Sequence, residues 1–252
     1  MMPLLRSVTA AVLLVVSAPV FAATLEGSTQ LVVVTTDGWD ATQGRLQAFE
    51  RTDTGWQPHG AAFDVAVGRS GSAWGEGLHP AQSAAPQKQE GDGRSPAGIF
   101  AIGPAFGYAP GVTSGLPYQP MRDTSYCMDV PDSPYYNRIV DAEVVGAEAV
   151  EGSTEPMRLD LHNKGDVRYR EGFVIEHNPK ATPGRGSCIF AHLWRTPGEA
   201  TAGCTAMEPA RMTTLLAWLN ASARPRFVLL PRAEYQRLQA DWQLPVLTGS
   251  AH

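Results

Sequence analysis

The sequence predicts a mainly β fold with one helix in its C-terminal third. Two observations carry this. Gly 25 and Pro 20 in 252 residues punctuate the chain too often for long helices. The apolar runs between them are short and rich in Val, Ile and Phe, residues that suit a pleated surface. Hydrophobic residues at 43% and charged residues at 18% fit a globular protein, and the length allows one sizeable core.

Met1–Ala22 precedes that fold. Arg6 supplies a positive start, Ala10–Val16 an apolar stretch, and Val20-Phe21-Ala22 a small-x-small cleavage site, so a signal peptide is expected. A membrane anchor is the alternative, but the apolar run is short for a bilayer. No Cys lies near the cleavage site to carry a lipid, and no later segment is apolar enough to span. Residues 23–252 are expected to form a single exported, soluble domain, working in the periplasm as a monomer. The formal charge is −5, without a basic run. That speaks against nucleic acid, whose phosphates need clustered Lys and Arg, and against a polybasic membrane patch.

The elements follow in order. Leu31–Thr36 is dense in β-branched residues and reads as a strand, closed by the turn signal Asp37-Gly38. Gln43–Arg51 and Ala62–Gly68 continue a meander. Arg69–Gly77 is glycine-rich without the Gly-Lys-Ser/Thr ending of a phosphate loop, and reads as a surface loop. Pro80–Gly93 is polar and small, a long loop; its Asp92-Gly93 is a tight turn, because the alternating acids of a calcium loop are missing. Ile99–Ile102 is a short strand, Gly103–Tyr118 an irregular excursion, and Asp141–Glu155 a loop or short helix. Phe173–His177 and Cys188–His192 are strands separated by the loop Pro179–Gly186. Pro209 suits a first helical turn, and Met212, Leu215, Leu216 and Leu219 follow at helical spacing. Phe227–Leu230 is the last strand.

The chain has three cysteines, Cys127, Cys188 and Cys204, all beyond the signal. Export would put them in an oxidising compartment, where an odd number leaves one thiol unpaired. Cys204 follows Thr201-Ala202-Gly203 and precedes the helix, while His192 ends an apolar strand. An imidazole nearby can turn a thiol into an attacking thiolate, and a helix start favours negative charge. Gly203, with Ala202, lets backbone amides approach a developing oxyanion. On residue types alone, a buried thiol and a satisfied strand-end histidine are the better fit.

The wider pattern decides between them. A strand ending in His192, then a loop, then Thr201-Ala202-Gly203-Cys204 resembles the L,D-transpeptidase catalytic domain, the family called YkuD. Ser95-Pro96-Ala97-Gly98-Ile99-Phe100 resembles its upstream Thr-Pro-x-Gly-x-Phe segment. Asp129–Ser133 with Tyr136-Asn137, and then Phe173–Asn178, resemble a branch in which the histidine is followed by Leu-Trp. The likeness spans about residues 62–230. It implies a β-sandwich or barrel with one helix after the catalytic cysteine. It also implies that Cys204 attacks a peptidoglycan stem peptide at its meso-diaminopimelate carbonyl, expels the terminal D-Ala, and passes the acyl group from a thioester to an amine, without a cofactor. Water as acceptor would make the same site a carboxypeptidase; a non-catalytic wall-binding protein is the reading from another class.

Two departures bear on substrate binding. Leu193 stands where many members have Gly after the histidine, and Ala206 where many have Arg two residues past the cysteine. Arg195 or Arg185 could stand in for that Arg; Thr201 and His177 complete the substrate-binding candidates, and His177 could also replace or orient His192 as the base. Related sequences usually lack Cys at positions 127 and 188, which suggests a disulfide between Cys127 and Cys188 and leaves Cys204 free. A zinc site of His177, Cys188, His192 and Cys204 is disfavoured, since no pair has the short spacing zinc needs. His59, His79 and His162 are assigned no role.

Overall fold

The structure, a computed structural model, describes residues 25–247. The expected signal peptide, Met1–Ala22, lies outside them. The strands are β1 (Gln30–Thr36), β2 (Gln43–Thr52), β3 (Gly55–Ala66), β4 (Ser72–Trp74), β5 (Ser95–Gly107), β6 (Tyr118–Pro120), β7 (Ser125–Cys127), β8 (Ile139–Asp141), β9 (Glu155–Pro156), β10 (Glu171–Ile175), β11 (Phe190–Leu193), β12 (Thr205–Met207) and β13 (Arg226–Pro231). The helices are α1 (Ala142–Val145), α2 (Leu159–His162), α3 (Pro209–Trp218) and α4 (Arg232–Leu238). The protein is mainly β, as its sequence predicts.

Among the described residues, one sheet runs β10-β11-β12-β3-β2-β1-β13-β5, and a further β10–β5 pairing closes it into a barrel. Closure removes the exposed edges that an open sheet must protect. β4 and β6 both attach to β5 in parallel. β1 is central, antiparallel to β2 and parallel to β13, and all seven of its residues are buried. Burial on both faces explains why it reads as a continuous apolar run rather than an alternation.

The main core joins Val32, Val34, Leu46, Ile99, Phe100, Phe227 and Leu229 with one face of α3. Met212, Leu215, Leu216 and Leu219 supply that face and are buried, each worth about 1.5–3 kcal/mol relative to exposure. Pro209 opens α3, where its missing N–H leaves no hydrogen bond unmade. A second cluster contains Phe106, Met121, Met157, Tyr169 and Phe190 together with all three cysteines. It lies under a small sheet ordered β8-β7-β9, carried by the segment between β6 and β10.

Several expectations change. Ser72–Trp74, read as part of a surface loop, is a buried strand paired with Ser95–Ala97. Three residues among glycines carry no period to detect. β5 does not stop at Ile102 but runs through Gly103 and Pro104 to Gly107, because partners on both sides hold it extended. Conversely, β11 begins only at Phe190. Cys188 sits at φ +54°, in the left-handed region, and is turned out of the strand. A further helix, α4, follows β13 and covers the barrel with Tyr235 and Leu238.

Candidate active site

β11 and β12 run parallel, with Ala191 opposite Thr205 and His192 opposite Ala206. Cys204 stands just before β12 and is thereby delivered to the start of β11. There the Phe190 N–H donates to its sulfur at 3.3 Å, and the thiol points to the Cys188 carbonyl at 3.5 Å. Cys204 is 7% exposed and His192 4%. The thiol makes no hydrogen bond to the imidazole in this resting arrangement.

The turn before Cys204 is held from two sides. Thr201 Oγ1 donates to the Cys204 carbonyl at 2.7 Å and accepts from the Gly203 N–H at 3.1 Å. Ser95 Oγ donates to the same carbonyl at 3.1 Å and accepts from the Gly68 N–H at 2.9 Å. A side chain at Gly203 would bring its Cβ within 3.1 Å of the Arg94 carbonyl oxygen, so glycine lets the two loops meet. Ser95 opens the Ser-Pro-Ala-Gly-Ile-Phe segment. Gly98 in that segment lies at φ +141°, and a Cβ there would fall 2.0 Å from the His79 ring. The segment therefore both clamps the cysteine turn and lays β5 against its neighbours.

The imidazole of His192 has a defined proton. Nδ1 lies 2.7 Å from the Leu193 carbonyl, which can only accept, so Nδ1 carries the hydrogen and Nε2 keeps a lone pair. Burial lowers its pKa to about 4. Burial also pushes the Cys204 thiol up to about 12, with the negative charge of Glu155 adding to the effect. At neutral pH the two groups therefore rest as neutral thiol and neutral imidazole.

Cys204 opens into a cavity of about 240 Å³. Ala202, Gly203, Cys188 and Ile189 line it, and Arg69, Lys88, Glu90, Asp129 and Glu155 bring charge to its walls. Lys88 is buried and tied to Asp92 at 2.6 Å. Glu90 accepts from the hydroxyls of Tyr136 and Ser187. Glu155 accepts from the Tyr169 hydroxyl at 2.5 Å. Burial raises the pKa of Glu155 to about 7; the Tyr169 bond opposes this and the charge of Asp129 supports it. The Tyr169 ring meets the His192 imidazole edge-on at 5.3 Å.

Cys127 and Cys188 form a disulfide, and Cys204 is a free, buried thiol. The bond ties β7 of the small sheet to the residue ahead of β11. Asn137 strengthens the same junction. Its side-chain amide donates to the carbonyls of His177 and Asn178, and its oxygen accepts from the Cys188 N–H at 2.9 Å.

The candidate residues therefore divide. Ala202, Gly203 and Cys204 line one cavity and Thr201 is bonded into the same turn, where the Gly203 N–H and the Thr201 hydroxyl are engaged, while His192 stands on the neighbouring strand and does not line that cavity. Arg195 does not line the Cys204 cavity; it is exposed and paired with Glu199. Arg185 pairs with Glu76 at 2.8 Å and lines a separate cavity of about 430 Å³ with His79, Gln82 and Lys180. His177 locks that second loop: Nδ1 accepts from the Glu76 N–H at 3.3 Å, so Nε2 donates to the Arg185 carbonyl at 2.9 Å. The cations at the Cys204 cavity are instead Arg69 and Lys88. Neither they nor Glu155 and Tyr169 carry a local signal, since each reaches the site through long-range pairing. Among the described residues, no group of three His, Cys, Asp or Glu side chains could hold a metal ion, and no helix is long and apolar enough to cross a membrane.

Comparison with known families gives one result. The family model for the L,D-transpeptidase catalytic domain, YkuD, matches residues 40–228. No curated protein and no solved structure matches the chain.

Proposed function

The chain belongs to the L,D-transpeptidase catalytic-domain family, whose members act on peptidoglycan stem peptides, and we propose that it is an exported, periplasmic cysteine acyltransferase that forms a thioester on Cys204 and passes it to an amine. The observation that carries the reading is the free thiol at the head of a cavity, one parallel strand away from an imidazole whose Nε2 is unprotonated.

The chemistry follows from that arrangement. With a stem peptide in the cavity, the Cys204 thiol turns from the Cys188 carbonyl toward His192. Sulfur attacks the meso-diaminopimelate carbonyl while its proton passes to Nε2. Because the proton moves as the S–C bond forms, a free thiolate is not required, and the high thiol pKa is not prohibitive. The C–N bond to the terminal D-residue then breaks, and the imidazolium returns the proton to the leaving amine. The turn Ala202–Cys204 is where an oxyanion would find backbone donors. The Leu193 carbonyl keeps the imidazole in one tautomer throughout, the part that a side-chain carboxylate plays in other triads.

The test is to incubate the protein, and its Cys204→Ala variant, with disaccharide-tetrapeptides and identify the products by mass. Cross-linked dimers and a Cys204 thioester from the wild type alone are expected. Tripeptides without dimers would move the answer to hydrolysis, and unchanged substrate with both proteins would leave a wall-binding role. A carbapenem adduct on Cys204, absent from the variant, is the corresponding single-turnover check.

A further inference from the structure

We propose that Glu155 is the acid–base residue for the acceptor: its carboxylate, held by Tyr169 in the wall of the Cys204 cavity, takes a proton from the incoming ammonium so that the amine can attack the thioester. This rests on the transferase reading above and concerns only its second half.

Glu155 reaches the site through the small sheet. It lies in β9, opposite Cys127 of β7, and the Cys127–Cys188 disulfide fastens that sheet beside β11. One carboxylate oxygen, Oε1, accepts from the Tyr169 hydroxyl at 2.5 Å, the one side-chain hydrogen bond the carboxylate makes among the described residues. Glu155 itself lines the cavity with Cys204. The Tyr169 ring packs edge-on against His192 at 5.3 Å and against Phe190 at 5.6 Å. The imidazole thus meets the phenol ring and the phenol meets the carboxylate, and of the three Glu155 is the one that lines the cavity.

The other charged groups around Glu155 are committed elsewhere. Asp129, from the segment after β7, uses both oxygens on Thr154. Arg168, beside Tyr169, is held by Asp166 at 2.8 Å. Glu90 holds the Tyr136 and Ser187 hydroxyls, and Lys88 is paired with Asp92. Arg69 is exposed at the rim of the cavity. Glu155 is therefore the wall carboxylate that combines proximity to the thiol, a fixed orientation and a titration range near neutrality, where burial brings it to about 7.

That range suits the acceptor. An α-amine is protonated below about pH 8 and cannot attack in that form. His192 is committed to the second amine proton, which it passes to the sulfur, so the first needs another acceptor, and Glu155 is matched to it. The step balances as follows. The Glu155 carboxylate removes one proton from the ammonium. The freed lone pair attacks the thioester carbonyl, the C–N bond forms and the C–S bond breaks. The second amine proton passes through His192 to the departing sulfur and restores the Cys204 thiol. Glu155 then releases its proton to solvent.

The experiment uses single turnovers with disaccharide-tetrapeptide as donor and D-phenylalanine as acceptor, read by intact mass. In Glu155→Gln, which keeps an oxygen for the Tyr169 hydroxyl, thioester formation is expected within about twofold of wild type. Transfer should fall at least tenfold, within the usual contribution of general acid–base catalysis, so that the thioester accumulates. Hydroxylamine, already neutral at pH 7, should restore transfer to within about threefold. The wild-type transfer rate should rise through about pH 7, and the variant should lose that limb. Tyr169→Phe, which keeps the carboxylate but frees it, should slow transfer several-fold and leave thioester formation unchanged; it serves equally if Glu155→Gln does not fold. Unaltered transfer in both variants, an equal loss of both half-reactions, or no rescue by hydroxylamine would overturn the proposal. A wild type that forms no thioester would instead overturn the transferase reading, and this proposal with it.

Discussion

The hydrogen on Nδ1 of His192 decides what the rest of the ring can do. Held by the Leu193 carbonyl, the neutral imidazole presents Nε2 as a base over a wide pH range, because burial keeps it from charging until about pH 4. Carbapenem acylation of Cys204 should therefore stay level from neutral pH down to about pH 5 and be halved near pH 4; a midpoint near the ordinary histidine value would show that the ring is solvated. His177 has the same depressed value in a structural setting. Its folded pKa, about 4, lies below its unfolded value of 6.5, so its contribution to stability is present above about pH 6.5 and lost as pH falls toward 4. His177→Gln should lower stability at pH 7 by about 1–3 kcal/mol and flatten the loss between those values, as followed by denaturant titrations at both pH values. At this scale the sequence is uneven. Cys204 and His192 are legible because one local segment holds both. Glu155 and Tyr169 are not, because they sit in irregular stretches that only the folded chain brings to the thiol.

Among the elements, the small sheet β8-β7-β9 brings Glu155 to the cavity, and the disulfide ties it to the segment before β11. The bond closes a loop of 61 residues in sequence separation, for which loop entropy gives about 4 kcal/mol. Reduction should lower the denaturant midpoint accordingly, with thioester formation falling in parallel because the Cys188 carbonyl, which holds the resting thiol, hangs from that junction; a midpoint unmoved by reductant would show that Asn137 and the barrel hold the sheet unaided. Long strands and the amphipathic α3 are readable from composition and period. β4 is not, since three residues give no alternation, and the full extent of β5 is masked by Gly103 and Pro104, beyond which β10 and β6 pair with Ala105–Gly107.

For the whole molecule, closure is the decisive event. The sequence leaves a sandwich and a barrel both open, because the deciding contacts are long-range: β1 pairs with β13, and β5 meets β10. The second cluster packs where that closure occurs. Phe106 of β5 lies edge-on to Phe190 of β11 at 5.1 Å and to Tyr169 at 5.7 Å. Phe106→Ala should cost about 3–5 kcal/mol by opening a void beneath the cysteine. Denaturant unfolding gives the loss directly; a cost under about 1 kcal/mol would mean that the barrel closes without this cluster.

The buried, protonated state of Cys204 also has a consequence for survival. Thiol–disulfide exchange and peroxide oxidation both proceed through thiolate. A free thiol in the same apolar cluster as a disulfide is an obvious route to scrambling, and the sulfur proposed here as nucleophile is an obvious target for sulfenic acid. With its pKa at about 12, Cys204 offers almost no thiolate until substrate arrives. The sulfur should therefore outlast ordinary surface thiols in dilute peroxide and resist iodoacetamide at neutral pH, while the neighbouring bond keeps its pairing.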